Sequence, residues 1–323
     1  MTTLIAQDMM HKIRRIEIRT RHLVEDLFAG SYLSVFKGRG IEFDEVRPYQ
    51  PGDDVRAIDW NVTARTGELY VKRFVEEREL TLMLVVDASA SQDFGTRGRF
   101  KREAAAEVAA TLAFAAVANN DKVGLLVFTD RVELLIQPRK GRKHVLRLIR
   151  DVLTFEPKGH ATDVKLALDR VNQVMKRRGI VLLISDFLDD PESYRKALAI
   201  AGSRHDLIAI DLHDPLESRI DAIGLMMLED AETGDLVEVD TTDRAWRAAF
   251  RAHLQQIEAA KQRAFSAAKV DRVLLATPDD TASALARFFQ GRMRRMARHG
   301  LRTRIHGEGG TTRIENADTR RMR

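Results

Sequence analysis

The segment Leu80-Thr81-Leu82-Met83-Leu84-Val85-Val86-Asp87-Ala88-Ser89-Ala90-Ser91 decides how the rest of the chain is read. Its first seven residues are apolar except Thr81 and lack the alternation of a half-exposed strand, so a strand buried on both faces is expected. The run then ends in a carboxylate and two hydroxyls spaced two residues apart. Beyond it, helices are expected over 100–119, 143–154, 164–178 and 191–202, alternating with strands over 122–129, 180–186 and 206–212. A strand at 132–137 follows its predecessor too closely for a crossover helix and is expected to pair with it antiparallel. Continuous apolar strands between helices define an α/β class with a mostly parallel sheet covered by helices on both faces.

Toward the C-terminus, residues 222–241 interrupt the alternation. Apolar stretches at 225–228 and 236–239 flank Glu232-Thr233-Gly234-Asp235, the pattern of an inserted hairpin. A long amphipathic helix over 244–268, a strand over 270–276 and a helix over 281–295 follow. The sheet domain is therefore placed at 80–299, and 300–323 is expected to be a basic, disordered tail.

Residues 1–79 form a separate region. Met9, Ile13, Ile16, Leu23 and Leu27 recur at helical spacing with arginines between them, giving an amphipathic helix over 4–28. Residues 30–79 read as a small β-rich module with turns at Pro51-Gly52 and Thr66-Gly67. Trp60 is expected to anchor its core. Arg47, Asp53, Asp54, Arg56, Asp59 and Arg65 are expected to form an ion-pair network that ties it to the sheet domain.

The 323 residues suffice for a full core, and the absence of cysteine excludes disulfides, thiol catalysis and cysteine metal sites. The net charge of +5 is a property of one end. Residues 291–323 carry ten arginines against three acids, a local +7 that leaves the remainder at −2. Nucleic acid is therefore not expected as a partner except through the basic tail. No apolar run approaches the roughly 20 residues of a membrane span, and the N-terminus lacks a signal-peptide core. A cytoplasmic location is expected. No P-loop, no dinucleotide-binding glycine pattern after the first strand and no nucleophile elbow is present.

In open parallel sheets, ligands bind beyond the carboxyl ends of the strands. Three segments place oxygen-bearing residues there: Asp87-Ala88-Ser89-Ala90-Ser91, the loop Gly159-His160-Ala161-Thr162-Asp163, and Ser185-Asp186. Together they offer hard oxygen ligands that suit magnesium or manganese. The competing reading makes Ser91 and Thr162 ordinary helix N-caps.

The D-x-S-x-S pattern, a downstream threonine and an aspartate closing a later strand resemble the metal-ion-dependent adhesion site of von Willebrand factor A domains. The resemblance implies a Rossmann-like sheet and a Mg2+ (or Mn2+) centre with Ser89 and Ser91 as direct ligands. Thr162 would ligate directly or through water, as would Asp87 and Asp186, and one position would stay open for a partner's carboxylate. Phe187 stands where many such sites have glycine. Residues 40–56, running into Ile58-Asp59-Trp60 and Ala64-Arg65, are similar to a bacterial domain-of-unknown-function family, number fifty-eight. That resemblance implies a partnership with a MoxR-type AAA+ ATPase and its protein clients. The function expected is then a non-enzymatic adaptor or scaffold in the assembly or maturation of protein complexes. The alternatives are a metal-dependent phosphoester hydrolase, with Asp93 or Asp163 as base, and an RNA-binding protein.

Overall fold

The computed structural model describes residues 46–51, 53, 55, 58–72, 79–96, 99–229 and 234–307, without side-chain detail beyond 296. The helix expected over 4–28, the turn residue Gly52, Asp54, Arg56 and residues 308–323 lie outside them.

The N-terminal module comprises strands β1 (Val46–Pro48) and β2 (Tyr70–Lys72), paired antiparallel, and between them a short helix α1 (Trp60–Thr66). The turn expected at Thr66-Gly67 is where this helix ends. Asp59 caps its start by accepting from the amides of Asn61 and Val62, and Gly67 ends it at φ 76°. Trp60 is 65% exposed and anchors no core, because it opens the helix on the solvent side. Ile58 and Val71 fill that place instead. Arg47 pairs with Asp53 inside the module.

The sheet domain has strands β3 (Thr81–Asp87), β4 (Lys122–Phe128), β5 (Val132–Arg139), β6 (Ile180–Ser185), β7 (Asp206–His213) and β10 (Asp271–Ala276). A hairpin of β8 (Leu225–Glu229) and β9 (Leu236–Asp240) stands apart. Of the expected turn 232–235, Glu232 and Thr233 lie outside the described residues, while Gly234 takes a left-handed φ of 76°. The sheet order is β5-β4-β3-β6-β7-β10, with every neighbour parallel except β5, which runs against β4. Counted along the chain from β3, this is the doubly wound order 3-2-1-4-5-6, whose direction of winding reverses between β3 and β6.

Side-chain alternation distributes the apolar strands over two cores. Leu82, Leu84 and Val86 of β3 face helices α2 (Lys101–Ala118), α3 (Arg142–Thr154) and α7 (Thr281–Gly307). Met83 and Val85 face α4 (Val164–Val174), α5 (Pro191–Arg204) and α6 (Arg244–Ala268). Helix α2 lies over the sheet through a run of alanines, which lets its axis approach closely. Helix α4 stops at Val174, short of the 178 expected, and α7 continues to Gly307, past both the expected end at 295 and the expected start of the tail. Among the described residues, no helix is long and apolar enough to cross a membrane.

Two features of the second core are testable. Phe187, just past β6, takes a left-handed φ of 52° and buries its ring edge-on against Phe265 and beside Tyr194. That backbone favours glycine, so burial of the ring offsets the local strain. Phe187→Ala is expected to lower stability by about 3–5 kcal/mol. Phe187→Gly should be no worse, reversing the usual glycine penalty; chemical denaturation of both variants checks this. Tyr194 is fully buried, its hydroxyl has no partner among the described residues, and burial pushes its pKa upward. Tyr194→Phe should therefore leave the melting temperature unchanged or raise it, and a fall would reveal a partner for the hydroxyl.

Candidate functional site

The switch point between β3 and β6 opens a crevice at the carboxyl end of the sheet, and the sequence-predicted residues gather there. β3 delivers Asp87, and β6 delivers Ser185 and Asp186. Ser185 donates to one Asp87 oxygen at 2.5 Å, while the Ser89 amide donates to the other at 2.9 Å. The chain turns tightly after Asp87, and Ser89 and Ser91, both buried, bring their hydroxyl oxygens within 3.1 Å of each other. The loop that carries Thr162 reaches this turn through a hydrogen bond from the Ala90 amide to the His160 carbonyl, 3.0 Å.

The N-cap reading of the hydroxyls does not hold. Helix α4 is capped by Asp163, whose side chain accepts from the Leu166 amide, and not by Thr162. Helix α2 begins at Lys101 after Phe100, well past Ser91, and the short 3-10 turn Ala90–Asp93 shows no side-chain cap. Ser91 and Ser89 therefore face each other beside Asp87 without a helix-capping duty. Gln92, also buried, has no partner for its side-chain carbonyl oxygen among the described residues, and its amide nitrogen lies 3.5 Å from the Ser91 hydroxyl.

The two carboxylates differ in their surroundings. Asp87 is buried and has no ion-pair partner among the described residues. Burial, together with the nearby charge of Asp186, pushes its carboxyl up to about 7 against the hydrogen bonds from Ser185 and Ser89. Asp186 instead turns to Lys101, whose ammonium donates to it at 2.7 Å and also pairs with Glu217. Lys101 is wholly buried. Burial alone would lower its pKa, but Asp186 and Glu217 outweigh that and raise it, so the lysine is held charged. The Asp186 carbonyl accepts from Lys261 of α6 at 2.5 Å. Lys261 lies 3.8 Å from buried Asp211, which Arg272 pairs directly. A line of buried charges thus runs from the crevice across β7 to β10.

Lys101 and Glu217 escaped the sequence reading. The available signal was a lysine at the first position of a helix, the end where the helix dipole disfavours a cation, so that a carboxylate must compensate it. Glu217 gave no signal, since only the fold brings the loop after β7 to this point. Among the described residues no group of three or more histidines, aspartates and glutamates is placed to hold a metal. The hydroxyls of Ser89 and Ser91 are what complete the oxygen set around Asp87. The two carboxylates considered as bases are engaged elsewhere: Asp163 caps α4 and Asp93 pairs with Arg102.

Comparison with known proteins places the chain. An uncharacterized protein of Mycobacterium tuberculosis is 33% identical over 284 residues, which span 87% of this chain and 89% of that protein. The uncharacterized protein YeaD of Bacillus subtilis shares 43% identity over 49 residues, 15% of this chain and 12% of its own length. Among solved structures, the conserved hypothetical protein BatB of Bacteroides thetaiotaomicron aligns with a TM-score of 0.44 at 13% identity, covering 67% of this chain and 99% of that one. A von Willebrand factor type A protein of Catenulispora acidiphila aligns at 0.37 and 11% identity, covering 69% and 43%. The model of the family described as protein of unknown function DUF58 matches residues 45–260. By that match and by the extent of its mycobacterial relative, the chain belongs to the DUF58 family.

Proposed function

We propose that the chain is a protein-binding module in which Asp87, Ser89 and Ser91 hold a magnesium-sized divalent cation that is offered to a carboxylate of a partner. The observation that carries this reading is the pairing of an uncompensated buried carboxylate with two buried hydroxyls 3.1 Å apart. Adjacent ligands of an octahedral cation held at about 2.1 Å are roughly 3 Å apart, so the hydroxyl pair has the edge length that magnesium needs. The orphaned oxygen of Gln92 supplies an acceptor for a water of such an ion. Asp186 fits a direct ligand role less well, because Lys101 already neutralises it; its place in this reading is to orient water at the rim, and Thr162 would close the set from its loop.

When bound, the cation would supply a positive centre with an exchangeable position. The residues of the chain would fix that centre in a crevice walled by the sheet, with Ser185 and the Ser89 amide holding the Asp87 carboxylate in place. A MoxR-type ATPase or one of its protein clients, working in complex assembly or maturation, is the partner that the family resemblance suggests. The engagement of Asp93 and Asp163 in other bonds favours docking over hydrolysis.

Calorimetric titration with Mg2+ or Mn2+ tests the centre. One site per chain is expected, and Ser89→Ala with Ser91→Ala should weaken it by about tenfold or more. Unchanged binding in that double variant would overturn the assignment.

The two aspartates should also separate in metal-free buffer. Asp87→Asn removes a buried charge that has no counter-ion and should leave the unfolding free energy equal or higher. Asp186→Asn strips Lys101 of its buried partner and should cost about 3–5 kcal/mol. Equal losses in both variants, measured by denaturant unfolding in chelator, would show that Asp87 is compensated by a cation of the protein itself.

A further inference from the structure

Large apolar side chains normally dot a protein surface singly. Two groups of them bear on the candidate metal site. The first lies about Lys101 and its partners. Phe94, Leu188 and Leu216 are 42, 50 and 48% exposed. Each hangs on a segment that holds Lys101 or one of its partners. The Phe94 ring centre lies 6.0 Å from the lysine ammonium, Leu188 follows Asp186 by two residues, and Leu216 precedes Glu217.

The second group is one face of the β8–β9 hairpin. Cross-strand pairing sets Leu225 opposite Asp240, Met227 opposite Glu238, and Glu229 opposite Leu236. Because alternate residues share a face, these six lie together, with Leu225, Met227 and Leu236 at 71, 57 and 62% exposure. The opposite face carries the half-buried Met226 and Leu228, the buried Val239 and, paired with Leu228, Val237 at 56% exposure, so it turns toward the protein at its Val239 end. On the exposed face Asp240 is engaged by Thr242, whereas neither Glu229 nor Glu238 has a hydrogen-bond or ion-pair partner among the described residues; Glu229 stands at the end of its strand. Glu238 sits at the centre, with Met227 across from it, Leu236 two residues before it on the same strand, and Leu225 diagonal to it.

Both groups lie at the carboxyl end of the sheet. β7 ends there, and the chain passes Glu217 on its way to the hairpin. Helix α6 then has to return to the start of β10. Its 25 residues span about 37 Å, well beyond the roughly 20 Å of the 6-residue strand it precedes. The residues of α6 that are buried, Lys261, Ala264 and Phe265, all belong to its last third. Its first half therefore projects past the sheet edge and carries the hairpin with it.

We propose that the occupant of the metal site is the hairpin of a second copy of this chain, with Glu238 as the carboxylate that completes the metal's coordination and Leu225, Met227 and Leu236 packing on the ring of Phe94, Leu188 and Leu216. The match is one of charge and of surface character: a cation flanked by exposed apolar side chains meets an unpaired carboxylate on a face of three acids and three apolar residues. Site and hairpin share one end of the molecule, so a two-fold axis lets each copy seat its hairpin on the other, and the assembly closes as a dimer. The patches are small, so the association is of micromolar strength or weaker. The proposal rests on the metal-site reading above.

The test is sedimentation velocity of the full chain across a concentration series, in Mg2+ and in chelator, with calorimetric Mg2+ binding measured on every variant. Dimer is expected in Mg2+ and monomer in chelator. Glu238→Gln should weaken association about tenfold or more while leaving Mg2+ binding by the isolated chain intact. Leu188→Ser should do the same from the other side of the contact. The decisive arm mixes Glu238→Gln with the Ser89→Ala, Ser91→Ala variant. Each alone loses both contacts of the dimer, but the mixed pair keeps one intact site facing one intact hairpin, so the mixture should associate more strongly than either component. Chains that bind Mg2+ yet remain monomeric, or that dimerise equally in chelator and with Glu238→Gln, would overturn the proposal and leave the metal site standing. Absence of Mg2+ binding in the unmodified chain would overturn both.

Discussion

A lysine ammonium sealed from water lies under the crevice, and the charge arrangement around it sets the terms for the rest of the site. Lys101 cannot stay charged in that position without Asp186 and Glu217, and neither carboxylate could be placed so close to the sheet end without it. The triad spans the start of α2, the end of β6 and the loop after β7, so it joins three crossovers at the point where the winding of the sheet reverses. With one cation shared by two carboxylates, the third, Asp87, is left uncompensated. In the proposed reading, an added cation would meet the one carboxylate that these internal charges leave unpaired.

The surrounding packing serves this arrangement. Alanines along α2 bring the helix close to β3 and β4, which carries its first residue, Lys101, down to the strand ends. The left-handed backbone at Phe187 turns the chain sharply away from β6, leaving the Asp186 carbonyl free to accept from Lys261. Here an aromatic side chain accepts that backbone because its ring fills the second core against Phe265. One residue therefore couples the geometry of the crevice to the stability of the face that packs α5 and α6.

Which of these features were legible in the sequence follows from how local their causes are. The buried parallel strands announce themselves by unbroken apolar runs, and the antiparallel β5 by its short connection to β4. Asp87, Ser89 and Ser91 occupy consecutive alternate positions, so their convergence needs only one turn of chain. By contrast, Lys101 meets Asp186 across 85 residues and Glu217 across 116, distances over which a single sequence carries no pairing signal. Trp60 misled because size suggests burial, whereas its position at the start of a seven-residue helix leaves it facing solvent. Residues 300–307, the last turns of α7, read as part of the tail expected over 300–323 because their arginines mask the apolar spacing.

The same local logic bears on what kind of chemistry the crevice performs. A hydrolytic centre needs a group free to take a proton from water, placed within hydrogen-bond reach of the reacting atoms. Asp163 spends its carboxylate on the start of α4 and Asp93 on Arg102, Asp186 is neutralised by Lys101, and Asp87 is fixed by Ser185 and the Ser89 amide. Each of these four acids thus has a positional duty, and under the proposed reading that division of duties favours docking over hydrolysis.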